Sequence, residues 1–321
     1  MELAIRTEHL TKIYNQRLIA VNDMNLEVPR GSVFGLLGPN GAGKTTTLRL
    51  LLGLQRPTAG QAQVFGKSCG PNAVSVRSQI GYLPTNPKLP GNLRPIEYLD
   101  LLGKLSRLPG EVRKPRISAL LRAVGLLGAT DQRIQTFSTG MCTRLGIAAS
   151  LVADPPLLLW DEPTAGLDPS ARRFTLELIR EMGKTKTVVV ATHILSDIDQ
   201  ICDHLGVMHE GRMIFTGSMQ DMKRRLRRHD FTLELEGTAE DVRRLSHEAA
   251  NLEGIDAHLD TGQALLVRIA DGRSRSRALI DVLKLVDESN LSLQAIHSGQ
   301  NATENAYLQL LQEDEAHGFH R

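Results

Sequence analysis

A glycine-rich segment near the start of the sequence has the composition needed to hold phosphate groups. Residues 38–45 read Gly-Pro-Asn-Gly-Ala-Gly-Lys-Thr, which matches the pattern Gly-x4-Gly-Lys-[Ser/Thr]. Glycine allows successive backbone N–H groups to approach a polyphosphate closely. Residues 46–54 favour a helix, whose N-terminal end attracts anions. The segment therefore predicts a nucleotide-binding loop.

Two side chains of this loop have assigned chemistry. We expect Lys44 to reach the β and γ phosphates of the nucleotide as a cation, and the Thr45 hydroxyl to coordinate the accompanying Mg²⁺. The residues expected to contact the nucleotide are Gly38, Asn40, Gly41, Ala42, Gly43, Lys44, Thr45 and Thr46.

A pair of acids ends the apolar run Leu157-Leu158-Leu159-Trp160. A carboxylate at such a strand end can hold Mg²⁺ directly or through water, and this role is predicted for Asp161. Side chains alternate along an extended segment, so Glu162 points elsewhere and is predicted to be the general base for the water that attacks the γ phosphate. The alternative is a pair of ordinary acids at a strand end.

His193 follows a second apolar run, Val188-Val189-Val190-Ala191-Thr192. Open α/β sheets place ligand contacts at the carboxyl ends of their strands. We therefore predict that His193 is catalytic, through a hydrogen bond to the γ phosphate or by orienting the attacking water. A structural role is the alternative for a single histidine.

The elements that must position these residues alternate along residues 1–220. Short apolar runs at 33–37, 157–160 and 187–191 are separated by helical stretches, which indicates an α/β fold with a mostly parallel sheet. Residues 86–153 carry no comparable strand. Apolar spacing of three to four at 95–107 and 116–127 predicts an inserted helical subdomain there.

The last hundred residues have a different organisation. A basic run at 222–229 predicts a linker over residues 221–230, and a phosphate or anionic-lipid contact is the alternative. Residues 231–236 alternate with period two, residues 239–250 are helical in pattern, and 264–270 and 291–296 favour strands. Residues 231–321 are therefore predicted to form a small α+β domain.

Composition excludes several classes of protein. The chain has 321 residues, of which 41% are hydrophobic and 23% charged, which is typical of globular proteins with room for two cores. A net charge of +2 does not indicate a nucleic-acid partner. Cys69, Cys142 and Cys202 have no metal-ligand spacing and are expected to be reduced thiols in the cytosol. The sequence shows no signal peptide and no apolar run of about 18 residues.

With these motifs in order, residues 1–220 resemble the ATP-binding subunit of an ABC transporter. Tyr14 lies where this family keeps an aromatic residue that stacks on adenine. Ser138, Gly140 and Met141 lie in its signature segment, and Asp168 ends the stretch that runs into the D-loop. These five positions are predicted to contact nucleotide by resemblance. A core tyrosine, a helix cap at Ser138 and a turn at Asp168 are the alternatives.

The resemblance implies a P-loop ATPase with ATP and Mg²⁺ as cofactors. In this family the signature helix binds ATP held by another subunit, so a second cassette is implied and a homodimer is expected. A separate transmembrane permease would be contacted through the helical subdomain, at the cytoplasmic face of the membrane. The C-terminal residues resemble the ferredoxin-like accessory domain of bacterial exporters, and residues 304–311 resemble its terminal amphipathic helix, with a role in dimer contact or regulation.

Four positions depart from the family pattern, and one of them, Met141 in place of the terminal glutamine of the signature, is interpreted as a mark of single-cassette exporters. Thr85 replaces a glutamine after Gly81-Tyr82-Leu83-Pro84; it would contact Mg²⁺ through water, with a shorter reach. Thr139 replaces the first glycine of the signature pair, where a stiffer side chain would reduce turnover. Trp160 replaces a small aliphatic residue and is expected to pack under the site.

Two other functions are compatible with these residues. One is a soluble ABC-type ATPase acting on DNA or ribosomes, although such relatives carry coiled-coil insertions or two cassettes, which this sequence lacks. The other is a regulatory cassette of low activity in a heterodimer, suggested by Thr85 and Thr139. Glu162 and His193 argue against complete loss of activity.

Overall fold

The computed structural model describes residues 2–225, 231–259, 264–270 and 272–297, with six further positions, 303, 307, 308, 310, 311 and 314. Contacts divide the chain into two compact units. The first unit comprises Met1–Met219 together with Leu310–Arg321, and the second comprises Gln220–Gln309. The predicted domain of residues 231–321 is therefore divided at Leu310.

The central sheet of the first unit has six strands. In spatial order they are β10 (Arg212–Ser218), β9 (His204–His209), β3 (Val33–Leu37), β8 (Thr187–Thr192), β7 (Leu157–Asp161) and β6 (Ile80–Leu83). β10 runs antiparallel to β9, and the other neighbours are parallel. Every residue of β3, β7 and β8 is buried, because helices or other strands cover both faces. The three predicted apolar runs are confirmed as these strands.

A second, antiparallel sheet completes the frame of the first unit. In spatial order its strands are β2 (Leu18–Pro29), β1 (Leu3–Tyr14), β4 (Ala59–Val64) and β5 (Lys67–Ser68). Apolar side chains from both sheets, such as Ile5 and Phe34, share one core with Leu48 of helix α1 (Lys44–Leu51). Because this core holds α1 between the sheets, it also holds the loop of residues 38–43 that precedes α1.

The remaining helices of the first unit flank these sheets. They are α2 (Val74–Arg77), α3 (Pro95–Leu105), α4 (Gly110–Ala123), α5 (Thr139–Leu151), α6 (Pro169–Gly183) and α7 (Leu195–Ile201), with short 3-10 helices at Leu127–Ala129 and Ile134–Thr136. Residues 86–153, all described, contain no strand, as predicted. α4 begins six residues before the predicted segment at 116, because its charged first turns and Pro115 conceal the apolar spacing.

The join between the units is only partly described. Helix α8 (Met219–Arg225) occupies the first half of the predicted linker, and residues 226–230 lie outside the described residues. In the predicted terminal helix 304–311, the described positions 307, 308, 310 and 311 are helical, and the others lie outside the description. Among the described residues, no helix is both long enough and apolar enough to cross a membrane. The three cysteines are free.

Between residues 231 and 297, the described part of the second unit has a four-stranded antiparallel sheet and two helices. Along the chain these are β11 (Phe231–Glu236), α9 (Ala239–Ala250), β12 (Ile255–Leu259), β13 (Ala264–Ile269), α10 (Arg275–Asp287) and β14 (Ser292–His297). The strand order β12-β13-β11-β14 is that of a ferredoxin-like sheet. Alternate residues Phe231, Leu233 and Leu235 are buried in its core, so the period-two pattern of this strand is confirmed. β12 and α10 were not predicted.

A buried hydrogen bond joins helix α5 to strand β7. Trp160 is fully buried, and its indole Nε1 donates to the Ser150 hydroxyl over 3.1 Å. That hydroxyl in turn donates to the carbonyl of Ile147 over 2.8 Å. Trp160 is therefore a core side chain, as expected. Its hydrogen bond links α5 to β7, the strand that carries Asp161.

We predict that Ser150→Ala lowers the free energy of unfolding by about 1–3 kcal/mol, because the buried indole N–H loses its partner while the packing stays nearly unchanged. In a Trp160→Phe background, Ser150→Ala should lower the free energy of unfolding by clearly less, because no buried indole N–H then loses its hydrogen-bond partner. Urea unfolding followed by far-UV circular dichroism measures both costs. Equal costs in the two backgrounds would contradict the assigned hydrogen bond.

Candidate functional site

The loop between β3 and α1 approaches other backbone so closely that several positions admit only glycine. A Cβ on Gly38 would lie 2.3 Å from the Met208 carbonyl oxygen, and one on Gly43 would lie 2.2 Å from that of Ala20. Gly41 and Gly43 have φ of +86° and +104°, in the region that favours glycine. The loop is thus pressed against β2 and β9, with its backbone wrapped as a phosphate-binding loop requires.

Lys44 is buried at the first position of α1. Its ammonium donates to the carbonyl oxygens of Gly38, over 2.7 Å, and Pro39, over 3.1 Å, and lies 3.5 Å from Glu162 Oε1. Burial lowers the pKa of Lys44, while the carboxylates of Glu162 and Asp161 act in the opposite direction. The ammonium therefore lies between its own loop and the predicted general base.

Thr45 and Asp161, the predicted magnesium ligands, are in direct contact. The Thr45 hydroxyl donates to Asp161 Oδ2 over 2.7 Å, and the Thr85 hydroxyl lies 3.4 Å from the Asp161 carbonyl oxygen. Asp161 is 1% exposed, and its Oδ1 has no hydrogen-bond partner among the described residues. Burial raises the pKa of Asp161, and hydrogen bonds from Thr45 and Thr85 oppose this. A buried carboxylate oxygen without a partner fits a cation.

Glu162 follows Asp161 but faces a different set of groups. Its Oε2 accepts from the Thr192 hydroxyl over 3.1 Å and lies 2.9 Å from His193 Nδ1. The backbone N–H of Glu162 donates to the Ala191 carbonyl over 2.8 Å. The predicted pair Glu162 and His193 is thus assembled at the carboxyl ends of β7 and β8, the position favoured for ligand contacts in parallel sheets.

The glycine-rich loop and these acids line one cavity of about 540 Å³. The predicted residues around it are Tyr14, Asn40, Gly41, Ala42, Gly43, Lys44, Thr45, Thr46, Thr85, Asp161 and Glu162. Its volume lies within the range of small-molecule sites, which is about 300–1,000 Å³. The cavity therefore unites the phosphate loop, the predicted magnesium ligands and the predicted base.

Tyr14 stands at one side of this cavity, at the end of β1. Its hydroxyl donates to Gln55 Oε1, and the Lys12 ammonium lies 5.2 Å from its ring centroid. The ring is held from two sides, so it is not a buried core tyrosine. Its predicted stacking on adenine stays a prediction.

Five residues that sequence reasoning missed also line the cavity: Leu18, Ala20, Arg49, Tyr82 and Pro84. Leu18 pairs with Tyr14 across the β1–β2 hairpin, so a hairpin prediction at residues 15–17 would have found it. Tyr82 lies in β6 beside β7, whose end was already assigned. Because parallel strands end at the same edge of a sheet, Tyr82 could also have been predicted to lie at the site. For Arg49, the sequence indicated only its position in the helix that follows the glycine-rich loop.

The signature and D-loop residues lie elsewhere. Ser138, Gly140, Met141 and Asp168 do not line the cavity described above. Ser138 caps α5, with its hydroxyl accepting from the Met141 N–H over 3.3 Å. Asp168 caps α6 by accepting from the backbone N–H groups of Ser170 and Ala171, each over 3.0 Å. The helix-cap alternative thus describes what Ser138 does within this chain, and Asp168, for which the alternative was a turn, is also a helix cap.

Comparisons with known proteins identify the family of this chain. The family model described as ABC transporter matches residues 21–165. The daunorubicin/doxorubicin resistance ATP-binding protein DrrA of Streptomyces peucetius is 36% identical over 316 residues, which cover 96% of this chain and 92% of DrrA. The Nod factor export ATP-binding protein I of Cupriavidus pinatubonensis is 40% identical over 205 residues, covering 64% of this chain and 63% of that protein.

A solved structure gives the same result for the fold. The structure of an ATP-binding subunit of an ABC transporter superposes with a TM-score of 0.64 at 30% sequence identity, covering 69% of this chain and 92% of that one. The sequence resemblance is thereby confirmed over the residues that build the cavity. This chain belongs to the ATP-binding subunits of ABC transporters, a family of ATPases.

Proposed function

We propose that this chain hydrolyses ATP to energise export through a separate transmembrane permease, and that it works as one of two identical cassettes. The observation that carries the proposal is the convergence of Lys44, Thr45, Asp161 and Glu162 on one cavity, with His193 bonded to Glu162. These residues come from three segments of the sequence far apart from each other. Their meeting provides a cation for phosphates, oxygen ligands for a metal and a base for water.

Glu162 is the proposed acceptor of a proton from the attacking water. Its carboxylate lies between the Lys44 ammonium, 3.5 Å away, and the His193 ring, 2.9 Å away. These contacts fix its orientation at the mouth of the cavity. His193 is 43% exposed, so its ring can also meet the γ phosphate or the water itself. Lys44 stabilises charge that develops on the phosphoryl oxygens.

Mg²⁺ fits the oxygen donors of Thr45 and Asp161. Magnesium prefers hard oxygen ligands and keeps several waters, so one carboxylate and one hydroxyl beside substrate phosphates form a sufficient protein contribution. The unpaired, buried Asp161 Oδ1 supports this assignment. When bound, the ion would neutralise charge on the β and γ phosphates. Thr85, next to the Asp161 carbonyl, is proposed to reach the ion through water.

A second copy of the chain is proposed to complete the site. Ser138, Gly140, Met141 and Asp168 do not line the cavity of their own chain. Ser138 is exposed at the N-terminal end of α5, where backbone N–H groups favour a phosphate. In the proposed dimer these residues contact ATP bound to the loop of the partner.

The membrane partner is proposed to bind the helical subdomain. Apolar side chains of α3 and α4 are exposed there, at Ile96, Leu101, Leu105 and Val112. An exposed apolar surface of this kind is typical of an interaction site. The name of the Nod factor relative supports export as the direction of transport. We therefore place the chain at the cytoplasmic face of the membrane, with no nucleic-acid partner.

We predict that Glu162→Gln keeps ATP binding but lowers the rate of hydrolysis by about 100- to 10,000-fold, since the amide cannot accept the proton. ATP should then hold two cassettes together, detected as a dimer by size-exclusion chromatography with light scattering. Glu111→Gln, in the first turn of α4, is the matched control and should hydrolyse ATP at the wild-type rate. Unchanged turnover in Glu162→Gln would remove Glu162 from its assigned role.

We predict that Thr85→Gln raises ATPase activity and lowers the Mg²⁺ concentration at half-maximal rate, because the longer amide reaches further from the Asp161 carbonyl toward the ion. Thr85→Val, which has no hydrogen-bonding group, should shift both quantities the other way. Steady-state phosphate release over a Mg²⁺ titration measures them. Identical curves for all three proteins would show that this loop position does not serve the metal.

We predict that the specific ATPase activity of the purified chain rises with protein concentration and then reaches a plateau, as expected when two copies complete each site. Lys44→Ala should be inactive at every concentration, because the cation at the phosphates is lost. Activity independent of concentration would contradict the homodimer. Negligible activity of a chain that binds ATP would instead assign hydrolysis to a complex with another cassette or the permease.

A further inference from the structure

A buried carboxylate outside the nucleotide cavity holds together the segments that carry the proposed catalytic groups. Asp197, in the first turn of α7, is 1% exposed. Its Oδ2 accepts from the Thr164 hydroxyl over 2.5 Å, and its Oδ1 accepts from Arg172 Nε over 2.8 Å. Arg172 Nη2 lies 2.7 Å from the same Oδ1 and also donates to the Ser196 hydroxyl over 2.8 Å. Both carboxylate oxygens are therefore occupied.

The three partners belong to three segments that each bear a residue of the proposed site. Thr164 lies two residues after Glu162, and Asp197 lies four residues after His193. Arg172 is in the first turn of α6, which Asp168 caps. The Thr164–Asp197–Arg172 network thus ties the Glu162 loop, the His193 loop and the start of α6 to a single buried group.

The backbone at Glu162 needs such support. Its φ of +51° lies in the left-handed region, which a residue with a side chain rarely adopts unless its surroundings hold it there. On one side the Glu162 N–H donates to Ala191 over 2.8 Å. On the other side the loop's own backbone bonds, Ala165 N–H to Glu162 O and Leu167 N–H to Thr164 O, are both 3.3 Å long. The Thr164–Asp197 bond has a buried carboxylate as its acceptor and is the stronger anchor on that side.

Burial makes this anchor stiff. Thr164 is 3% exposed, and Asp197 has the Arg172 guanidinium as its charge partner. A buried carboxylate whose oxygens are all bonded cannot change partners without leaving a charge unpaired. The Asp197 carboxylate therefore fixes the relative position of the three segments, because only one arrangement of its partners satisfies all of its hydrogen bonds.

We propose that Thr164 and Asp197 are positioning residues for hydrolysis, which hold Glu162 and His193 in register with each other. This inference depends on the proposed ATPase function and extends it to residues that do not line the nucleotide cavity. Within the described part of the chain, no hydrogen bond joins Thr164, Asp197 or Arg172 to the phosphate loop. That loop is held by β2, β9 and α1 and by a bond from the Gly38 N–H to the Thr192 carbonyl over 3.3 Å. Loss of the network should therefore lower kcat for ATP and leave KM nearly unchanged.

The test compares two substitutions at one buried threonine. Thr164→Val keeps the shape and removes the hydroxyl, and should lower kcat by about tenfold to a hundredfold, the size expected for misplacement of a catalytic group by about 1 Å. Thr164→Ser keeps the hydroxyl and should stay within about twofold of wild type. Thr175→Val is the matched control. Thr175, like Thr164, is buried, but it lies in α6 and its hydroxyl donates only to the Ala171 carbonyl of that helix.

Two further readouts separate positioning from general destabilisation. In a Glu162→Gln background, Thr164→Val should cause no further loss in the residual rate measured with radiolabelled ATP, because the group it positions is already disabled. Amide hydrogen exchange over residues 162–168 should accelerate in Thr164→Val, and exchange over residues 38–45 should not. Thr164→Ser and Thr175→Val should exchange as wild type does in both segments.

The outcomes distinguish the two levels of inference. Equal kcat in Thr164→Val and Thr175→Val, a raised KM with unchanged kcat, or an additive loss in the Glu162→Gln background would each overturn the positioning role. If wild type does not hydrolyse ATP, or Glu162→Gln does not lower its rate, the proposed function fails instead. In that case, hydrogen exchange still tests whether the network holds the Glu162 loop. Unchanged exchange over residues 162–168 in Thr164→Val would overturn this role of the network, and faster exchange would support it.

Discussion

The hydrogen bond between the Thr45 hydroxyl and the Asp161 carboxylate is the contact on which the site depends. It joins the first turn of α1 to the end of β7, and so connects the glycine-rich loop to the central sheet. Because Asp161 is almost fully buried, its carboxylate cannot be satisfied by water and must find partners within the fold. One oxygen has Thr45, and the other has no partner among the described residues. The same contact thus positions the loop and leaves one buried carboxylate oxygen without a partner among the described residues, where the proposed Mg²⁺ would bind.

Charge balance explains how the neighbouring groups are arranged around that contact. Lys44 is a buried cation close to two carboxylates, Glu162 and Asp161, and Arg49 also lines the cavity, so the protein itself contributes two positive and two negative charges. Backbone N–H groups and the start of α1 add only partial positive charge. A polyphosphate adds several negative charges to this site. The proposed magnesium ion supplies the balance, which agrees with an oxygen left unpaired on the buried acid.

Features that depend on residue type and on strand ends could be predicted from the sequence, and features that depend on contacts between distant residues could not. The loop of residues 38–45, Asp161, Glu162 and His193 were predictable because residue type and strand ends determine their chemistry, and the structure brings them together. The left-handed backbone of Glu162 and the partners of Asp197 were not, since contacts between residues 25 and 33 positions apart establish them. The contacts of Asp314 were not predictable either, because they join positions about a hundred residues apart: its carboxylate lies 2.8 Å from both His209 Nδ1 and Arg212 Nη2.

The position of Trp160 has an optical consequence. It is the single tryptophan of the 321 residues, so indole emission from this chain arises from one place. That indole is fully buried, bonded to Ser150 of α5, and directly precedes Asp161 in β7. A change in its wavelength or intensity can therefore be assigned without labelling to the junction between helix α5 and the strand that ends at Asp161. The fold thus contains its own spectroscopic probe at the point where these two elements meet.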